Sequence, residues 1–244
     1  MTFLYAALIV ICGLFGIVVL HFLFLIAIAL FVKNRDYDKA SGFYRFVLNS
    51  HIRLILFLSN VKIVTTGTEK LQGLKGEFLL VGNHRSDYDP LVTVAGLKHK
   101  KLAFISKPEN FRIFIVGKVI RKCLYIAIDR ENARNAMKTI NRAAALIGEG
   151  QVSFAVYPEG TRNKEKYLLP FHDGVFKIAQ KAGSPVVVVG IRGTENIRTR
   201  APFKRTVVCL DVLEVISAER VKALDSHGLS DAVREILGKA TDGK

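Results

Sequence analysis

The chain has 244 residues, enough for one compact domain and an appendage. Half of its residues are hydrophobic and its mean hydropathy is +0.27, a high value for a soluble protein. The formal net charge of +15 suits an anionic lipid surface or an anionic substrate. The sequence has neither zinc-finger spacing nor an aromatic RNA-binding motif, which argues against nucleic acid as a partner.

The first predicted element is an apolar segment from Leu4 to Val32 that contains no Asp, Glu, Lys or Arg. As a helix rising ~1.5 Å per residue it would be roughly 43 Å long, whereas a bilayer hydrocarbon core is only ~30 Å thick. No basic residue precedes the segment and no A-x-A-like site follows it, so a cleaved signal peptide fits poorly. We therefore predict an uncleaved membrane anchor.

The residues after the anchor are rich in positive charge: Lys33, Arg35, Lys39, Arg45 and Arg53. If the anchor spans a membrane, these charges place the bulk of the protein on the cytoplasmic side. The stretch from Phe43 to Ile63 is apolar but interrupted by charges, which favours an amphipathic helix in contact with membrane lipids. A core helix of the following domain is the alternative. We divide the chain into an anchor with an interfacial helix, residues 1–60, and a globular domain, residues 61–244.

After residue 60, short β-rich runs alternate with helical patterns. The runs predicted as strands are Val61–Thr65, Phe78–Gly82, Leu102–Ser106, Leu124–Ile128, Val152–Tyr157, Pro185–Ile191 and Thr206–Ile216. The helices are predicted to begin at Asp89 and to cover Asn132–Gly148, Asp173–Ala182 and Glu219–Leu237. Nearly unbroken apolar strands alternating with helices predict an α/β fold, with a mainly parallel sheet flanked by helices.

A polar loop from Asn83 to Pro90 follows one of these strands, where open α/β sheets place their ligands. His84 and Asp89 would point about 140° apart on a helix, so they can meet only across a turn. Because Pro90 disfavours helical geometry at the residue before it, the Asp89 carboxylate can fold back to the imidazole. That contact would fix the tautomer of a general base and stabilise its imidazolium. The alternative is that Asp89 only caps the next helix and His84 is an ordinary loop residue.

Two further loops follow predicted strands. In Tyr157-Pro158-Glu159-Gly160-Thr161-Arg162, the glycine allows close approach of the backbone to a ligand and the arginine can bind a phosphate. Ile128-Asp129-Arg130 places a second arginine at a strand end. Taken alone, each is equally consistent with solvated surface charge. The scattered cysteines, without C-x-x-C spacing, indicate a reducing compartment and no metal site.

Together these blocks resemble the bacterial 1-acylglycerol-3-phosphate acyltransferases, the PlsC family of glycerolipid acyltransferases. That family has an N-H-x4-D block, a strand ending in I-D-R, a block close to F-P-E-G-T-R-S and an apolar block near V-P-I-V-P-V. The corresponding blocks here, in the same order, are Asn83–Asp89, Ile128–Arg130, Tyr157–Asn163 and Ser184–Val189. Tyr157 stands where Phe is usual, Asn163 where Ser is usual and Val188 where a second Pro is usual. Of these departures, Asn163 bears on specificity.

The resemblance implies transfer of a fatty acyl group from acyl-CoA or acyl-carrier protein to the sn-2 hydroxyl of 1-acylglycerol-3-phosphate (lysophosphatidic acid), giving phosphatidic acid. His84 would be the general base and Asp89 its orienting carboxylate. The implied substrate-binding residues are Lys107, Arg130, Glu159, Gly160, Thr161 and Arg162, with the basic side chains on the acceptor phosphate. No bound cofactor, metal or acyl-enzyme is implied. The expected location is the bacterial inner membrane, with the catalytic domain on the cytoplasmic face.

Three alternatives to this function were weighed. A sibling acyltransferase acting on glycerol-3-phosphate or another lysophospholipid would carry the same blocks. A lipid hydrolase would need a nucleophile in a G-x-S-x-G turn, which the sequence lacks. A non-catalytic membrane protein that binds anionic lipid or RNA would account for the charge and the anchor, but not for two polar loops that both follow strands. Residues 196–244 carry no motif that discriminates among these functions.

Overall fold

A computed structural model describes residues 2–165 and 167–241 of the chain, without the side chains at 2–4, 7, 10, 11, 14 and 241. Two long helices come first, α1 at Thr2–Leu30 and α2 at Gly42–Leu58. Among the described residues and side chains, no helix combines the length and hydropathy that crossing a membrane requires. The segment predicted as an anchor is thus helical from Leu4 to Leu30, and its membrane role stays a prediction.

The remaining helices follow the first strand, and the last two of them come after the last strand. Their bounds are α3 Asp89–Gly96, α4 Phe114–Lys122, α5 Ala133–Gly148, α6 Lys177–Ala182, α7 Ile197–Arg200, α8 Ala218–Ala223 and α9 Ser226–Thr241. Single 3-10 turns cover Thr68–Leu71, Pro108–Phe111, Asp173–Phe176 and Thr194–Asn196. The strands are β1 Val61–Thr66, β2 Leu79–Gly82, β3 Leu102–Ser106, β4 Ile126–Ala127, β5 Ser153–Val156, β6 Val186–Arg192 and β7 Thr206–Ile216.

The strands form one sheet in the order β1-β7-β6-β2-β5-β3-β4. Strands β2 to β6 run parallel to one another, while β7 is antiparallel to β6 and parallel to β1. The mainly parallel α/β sheet predicted from the sequence is confirmed. Because β1 and β7 run the opposite way, their amino ends lie at the same edge of the sheet as the carboxyl ends of the other five strands.

Both faces of the sheet are buried, as the unbroken apolar strands predicted. Leu79 and Val81 of β2 pack on one side, against α5, α6 and α9, and Leu80 packs on the other side, against α2 and α3. This alternation follows from the two-residue period of a strand. The first helices extend the second layer, where His21 of α1 meets His51 of α2 with 2.6 Å between their Nε2 atoms.

Helix α2 combines the two alternatives considered for it. Val47, Ile52 and Leu56 are buried, whereas Phe46 and Phe57 are 70% and 77% exposed. One face is therefore a core helix face, and the other presents apolar side chains outward as an interfacial helix would. The strand β1 replaces the last residues of the stretch predicted to be helical, since Val61 to Ile63 pair with β7.

One predicted helix is wrong in extent. The segment Glu219–Leu237 forms two helices because the backbone of Leu224 is extended, with φ −103° and ψ 147°. Asp225 then accepts a hydrogen bond from the Gly228 N–H at 2.7 Å, as an N-cap does, and α9 begins there.

Candidate active site

The loop after β2 is fastened to the end of β6 by one buried side chain. The Asn83 amide donates to the Ile191 carbonyl at 2.9 Å, and its oxygen accepts from the Ile191 N–H at 2.8 Å. An amide side chain suits this position because it carries both a donor and an acceptor. The residue that follows, His84, is thereby held at the carboxyl edge of the sheet.

The carboxylate of Asp89 is fully buried and organises this loop. Its Oδ2 lies 2.8 Å from His84 Nδ1 and accepts from the backbone N–H groups of Arg85 at 2.6 Å and Ser86 at 2.7 Å. Its Oδ1 accepts from the hydroxyl of Thr194, which follows β6. A buried carboxylate requires such donors, and here they come from the loop and from a distant turn.

These contacts decide between the two interpretations of Asp89. The expected fold-back of its side chain onto His84 is confirmed, and the capping alternative is wrong because the carboxylate bonds to N–H groups that precede α3. Asp89 is the first residue of α3 rather than part of the turn, because a proline is tolerated in the first turn of a helix. Since a carboxylate only accepts hydrogen bonds, the His84 proton lies on Nδ1, which leaves the lone pair on Nε2.

The ring of Tyr157 packs against the imidazole of His84. The two rings are stacked, with centroids 4.6 Å apart and planes 11° apart. The Thr93 hydroxyl donates to the Asp89 carbonyl at 2.8 Å, so the Tyr157 hydroxyl donates to Thr93 Oγ1 at 3.1 Å. Burial, and then the Asp89 charge, raises the pKa of Tyr157 well above its usual range. The tyrosine therefore stays neutral beneath the histidine.

Glu159 joins the two polar loops. It is buried, and its Oε1 accepts from the His84 N–H at 3.0 Å while its Oε2 accepts from the Asn163 amide at 2.6 Å. The Asn163 N–H in turn donates to the His84 carbonyl at 2.7 Å. Glu159 and Asn163 thus position the backbone of the histidine, and the acceptor contact predicted for Glu159 stays a prediction.

The predicted phosphate-binding arginines are both engaged within the protein. Arg130 donates from Nη1 to the Gly160 carbonyl, and burial lowers the pKa of its guanidinium, so a nearby anion would stabilise its charge. Arg162 pairs with Asp87, with 2.6 Å between Nη1 and Oδ2.

Gly160 has φ 71°, and a Cβ there would lie 2.9 Å from the His172 ring. This position therefore requires glycine on both conformational and steric grounds.

A cavity of about 610 Å³ opens beside His84. The polar side chains that line it include His84, Asp87, Lys107, Arg130, Thr161 and Arg162, all in loops that follow strands at the carboxyl edge of the sheet. Its apolar walls come mainly from α2, α4 and the neighbouring strands, and include Val47, Ile52, Leu91, Phe104, Val119 and Ile120. The cavity can therefore hold an amphipathic molecule with an anionic group at one end and a hydrocarbon chain at the other.

The structure brings most of the site residues predicted from the sequence together at this cavity. His84, Lys107, Arg130, Gly160, Thr161 and Arg162 line the cavity, and Asp89 and Glu159 lie behind His84. Sequence reasoning missed the roles of Thr194, Asp87 and the Tyr157 ring. Thr194 lies two residues past the end of β6, and a hydroxyl at a strand end was the available signal.

Comparison with known proteins adds independent findings. Residues 62–192 match the sequence model of the acyltransferase family. The 1-acyl-sn-glycerol-3-phosphate acyltransferase of Haemophilus influenzae is 34% identical over 118 residues, which are 48% of this chain and 49% of that protein. The Borreliella burgdorferi protein of the same name is 28% identical over 195 residues, 79% of this chain and 77% of its own length. The crystal structure of PlsC, the 1-acyl-sn-glycerophosphate (LPA) acyltransferase from Thermotoga maritima, superimposes with a TM-score of 0.64 over 92% of this chain and 88% of that one. At 22% identity, this likeness shows a shared fold.

Proposed function

Since this chain belongs to the acyltransferase family, we propose that it transfers a fatty acyl group from a thioester to the sn-2 hydroxyl of 1-acylglycerol-3-phosphate, giving phosphatidic acid. Two relatives, matched over 48% and 79% of the chain, carry the name of this activity. The observation that carries the proposal is the His84–Asp89 pair beside a cavity that is lined by both cationic and apolar side chains.

In this reaction His84 acts as the general base. Nε2 takes the proton of the acceptor hydroxyl while the hydroxyl oxygen attacks the thioester carbonyl carbon. The tetrahedral intermediate collapses with cleavage of the C–S bond, and the imidazolium returns the proton to the leaving thiolate. The Asp89 carboxylate, 2.8 Å from Nδ1, stabilises the imidazolium between these two steps. General base catalysis of this kind contributes ~10²–10⁴-fold.

The acceptor phosphate binds to three basic side chains of the cavity lining: Arg162, Arg130 and Lys107. Guanidinium groups can bind two phosphate oxygens at once, which suits them to this role. The hydrocarbon chains lie along the apolar walls formed by α2 and α4. The acyl donor is acyl-CoA or acyl-carrier protein, and neither requires a bound cofactor on the enzyme.

We place the enzyme at a membrane surface, with the catalytic domain on the cytoplasmic face. Support comes from large apolar side chains that face outward on the first helices and the turn after α1, among them Leu20 at 67%, Phe31 at 86% and Phe46 at 70% exposure. Contiguous apolar surface of this kind calls for a non-aqueous partner. The basic residues between α1 and α2 suit an anionic leaflet.

The test is an acyl-transfer assay on membranes that contain the full chain. It offers lysophosphatidic acid, glycerol-3-phosphate and several other lysophospholipids, each with acyl-CoA and with acyl-carrier protein as donor. We expect lysophosphatidic acid to give the highest kcat/KM. A preference for glycerol-3-phosphate or another lysolipid would establish a sibling activity, and an absence of transfer to every acceptor would favour a non-catalytic lipid-binding protein.

A further inference from the structure

The loop between α7 and β7 presents an aromatic side chain among positive charges. Phe203 is 95% exposed, more than any other large hydrophobic side chain among the described residues. Residues 197–205 contain Arg198, Arg200, Lys204 and Arg205 and no acidic residue. All four cations are exposed, and none forms an ion pair with another residue that the structure describes. Nothing in the described part of the fold accounts for this combination.

Two hydrogen bonds bring the end of α2 against the loop. The Asn60 side-chain amide donates to the Pro202 carbonyl at 3.3 Å, and the Thr206 backbone N–H donates to the Asn60 backbone carbonyl at 3.0 Å. Phe57 and Leu58, 77% and 60% exposed, immediately precede this junction. We call Phe57, Leu58 and residues 198–205 the basic-aromatic surface.

This surface lies at the catalytic edge of the sheet. Because β7 is antiparallel to β6, its amino end at Thr206 continues past Arg192, at the edge that carries the loop of His84. The hydroxyls of Ser59 and Tyr88, 3.3 Å apart, connect the end of α2 to that loop directly. A membrane or a protein that bound to the basic-aromatic surface would therefore also face the catalytic loops.

We propose that the basic-aromatic surface docks on an anionic lipid bilayer, with the Phe203 ring in the headgroup region. Arginine and lysine side chains near an anionic leaflet are attracted to it, and exposed aromatic and aliphatic side chains enter its interface. The surface continues the outward apolar face of α2, so bilayer contact covers both at once. This inference rests on the proposed function, in which the acceptor is a membrane lipid that must reach the catalytic edge.

The chain contains no tryptophan, so Phe203→Trp gives a single fluorescent reporter in the full-length protein. We expect its emission to shift to shorter wavelength with vesicles of phosphatidylglycerol and phosphatidylcholine, and to be quenched by lipids brominated on their acyl chains. Pure phosphatidylcholine vesicles should give a smaller effect, since they lack the negative charge. The matched control is Lys75→Trp, at an exposed position before β2 and thus at the opposite sheet edge, which should show neither effect.

A second variant tests the contribution of the positive charges to binding without changing Phe203. Lys204→Gln combined with Arg205→Gln should weaken binding to anionic vesicles at least severalfold and leave acyl transfer in detergent micelles unchanged. An emission of Phe203→Trp that stays the same on vesicles that bind the protein would overturn the proposal. So would a blue shift with acyl-carrier protein but not with lipid, since the partner would then be an acidic protein. Failure of the proposed function has a different signature, which is no transfer by the native chain even in micelles.

Discussion

At the scale of single residues, the side chain of His84 carries most of the proposed chemistry. His84→Ala should lower kcat/KM by at least ~10²-fold, which corresponds to about 2.7 kcal/mol of transition-state stabilisation. Asp89→Asn should act in the same direction, because it removes the charge that stabilises the imidazolium. The double variant should lose far less than the two losses combined, as residues that act as a unit do. Steady-state kinetics on membrane preparations measure all three.

The control for these variants is a measurement of their folding stability. The His84 side chain is only 19% exposed, stacks on Tyr157 and contacts Asp89, so His84→Ala should lose some stability yet remain folded in the absence of denaturant. Asp89→Asn should lose some stability as well, because the buried carboxylate accepts from several donors. A folded His84→Ala enzyme with near-normal turnover would remove the general-base assignment.

The ion pair between Arg162 and Asp87 leads to a second prediction. The Asp87 carboxylate competes with an acceptor phosphate for this guanidinium and also repels the phosphate. Asp87→Asn should therefore lower the acceptor KM, by up to about fivefold, because an exposed pair contributes ~0.2–1 kcal/mol. The donor KM should not change, and Arg162→Ala should raise the acceptor KM. An acceptor KM that rises in Asp87→Asn would mean that the aspartate assists binding.

The sequence predicted the contact between His84 and Asp89 because its causes are local: a strand end and a short loop. Thr194 could not be predicted as a partner of Asp89, since it lies 105 residues away and its position after a strand does not identify its partner. The pairing of Arg162 was also unpredictable, because an exposed side chain chooses its partner only in the folded molecule.

At the scale of elements, the strands were predictable and two helices, α4 and α7, were not. Strands buried on both faces read as continuous apolar runs, whereas α4, at Phe114–Lys122, is also rich in β-branched residues and gives no clear helical signal. Strand β4 begins later than predicted because Leu124 has φ 65°, a left-handed conformation that ends the preceding turn. Nothing in the residue pattern predicts that β7 runs antiparallel to β6.

The first helix gives the prediction at this scale. Deletion of residues 1–32 should weaken membrane association, since it removes the longest apolar segment of the chain. Flotation of the truncated and full-length proteins with liposomes measures the change. The truncated protein must first be shown to fold, because α1 contacts α2 through His21 and through the Ile28 carbonyl. Undiminished flotation would mean that α2 and the basic residues suffice.

At the scale of the whole molecule, buried ionisable groups set a limit to stability at high pH. Burial raises the pKa of the Cys123 thiol to about 11, and burial raises that of Tyr157 too. The unfolded chain, with a thiol pKa of ~8.5, therefore loses this proton first as the pH rises. These two groups should leave the free energy of unfolding unchanged below about pH 8, and the thiol should make it decline between about pH 8.5 and 11.

Cys123→Ala isolates the contribution of the thiol. Its free energy of unfolding, measured by urea denaturation from pH 7 to pH 10.5, should decline less steeply than that of the native chain. The difference between the two proteins is the relevant quantity, since other groups titrate in both. An identical decline in both proteins would exclude Cys123 as a source.

The histidine is fastened by residues that lie far apart along the chain. Glu159 is 75 residues beyond His84, and Thr194 is 105 residues beyond Asp89. During synthesis the early strands leave the ribosome well before either support exists, and contacts between distant segments are the slow ones in folding. A nascent chain that ends before β6 thus lacks Thr194, which donates to Asp89, and Ile191, whose backbone bonds to Asn83 beside His84. Catalytic competence is acquired late, after most of the polypeptide has been made.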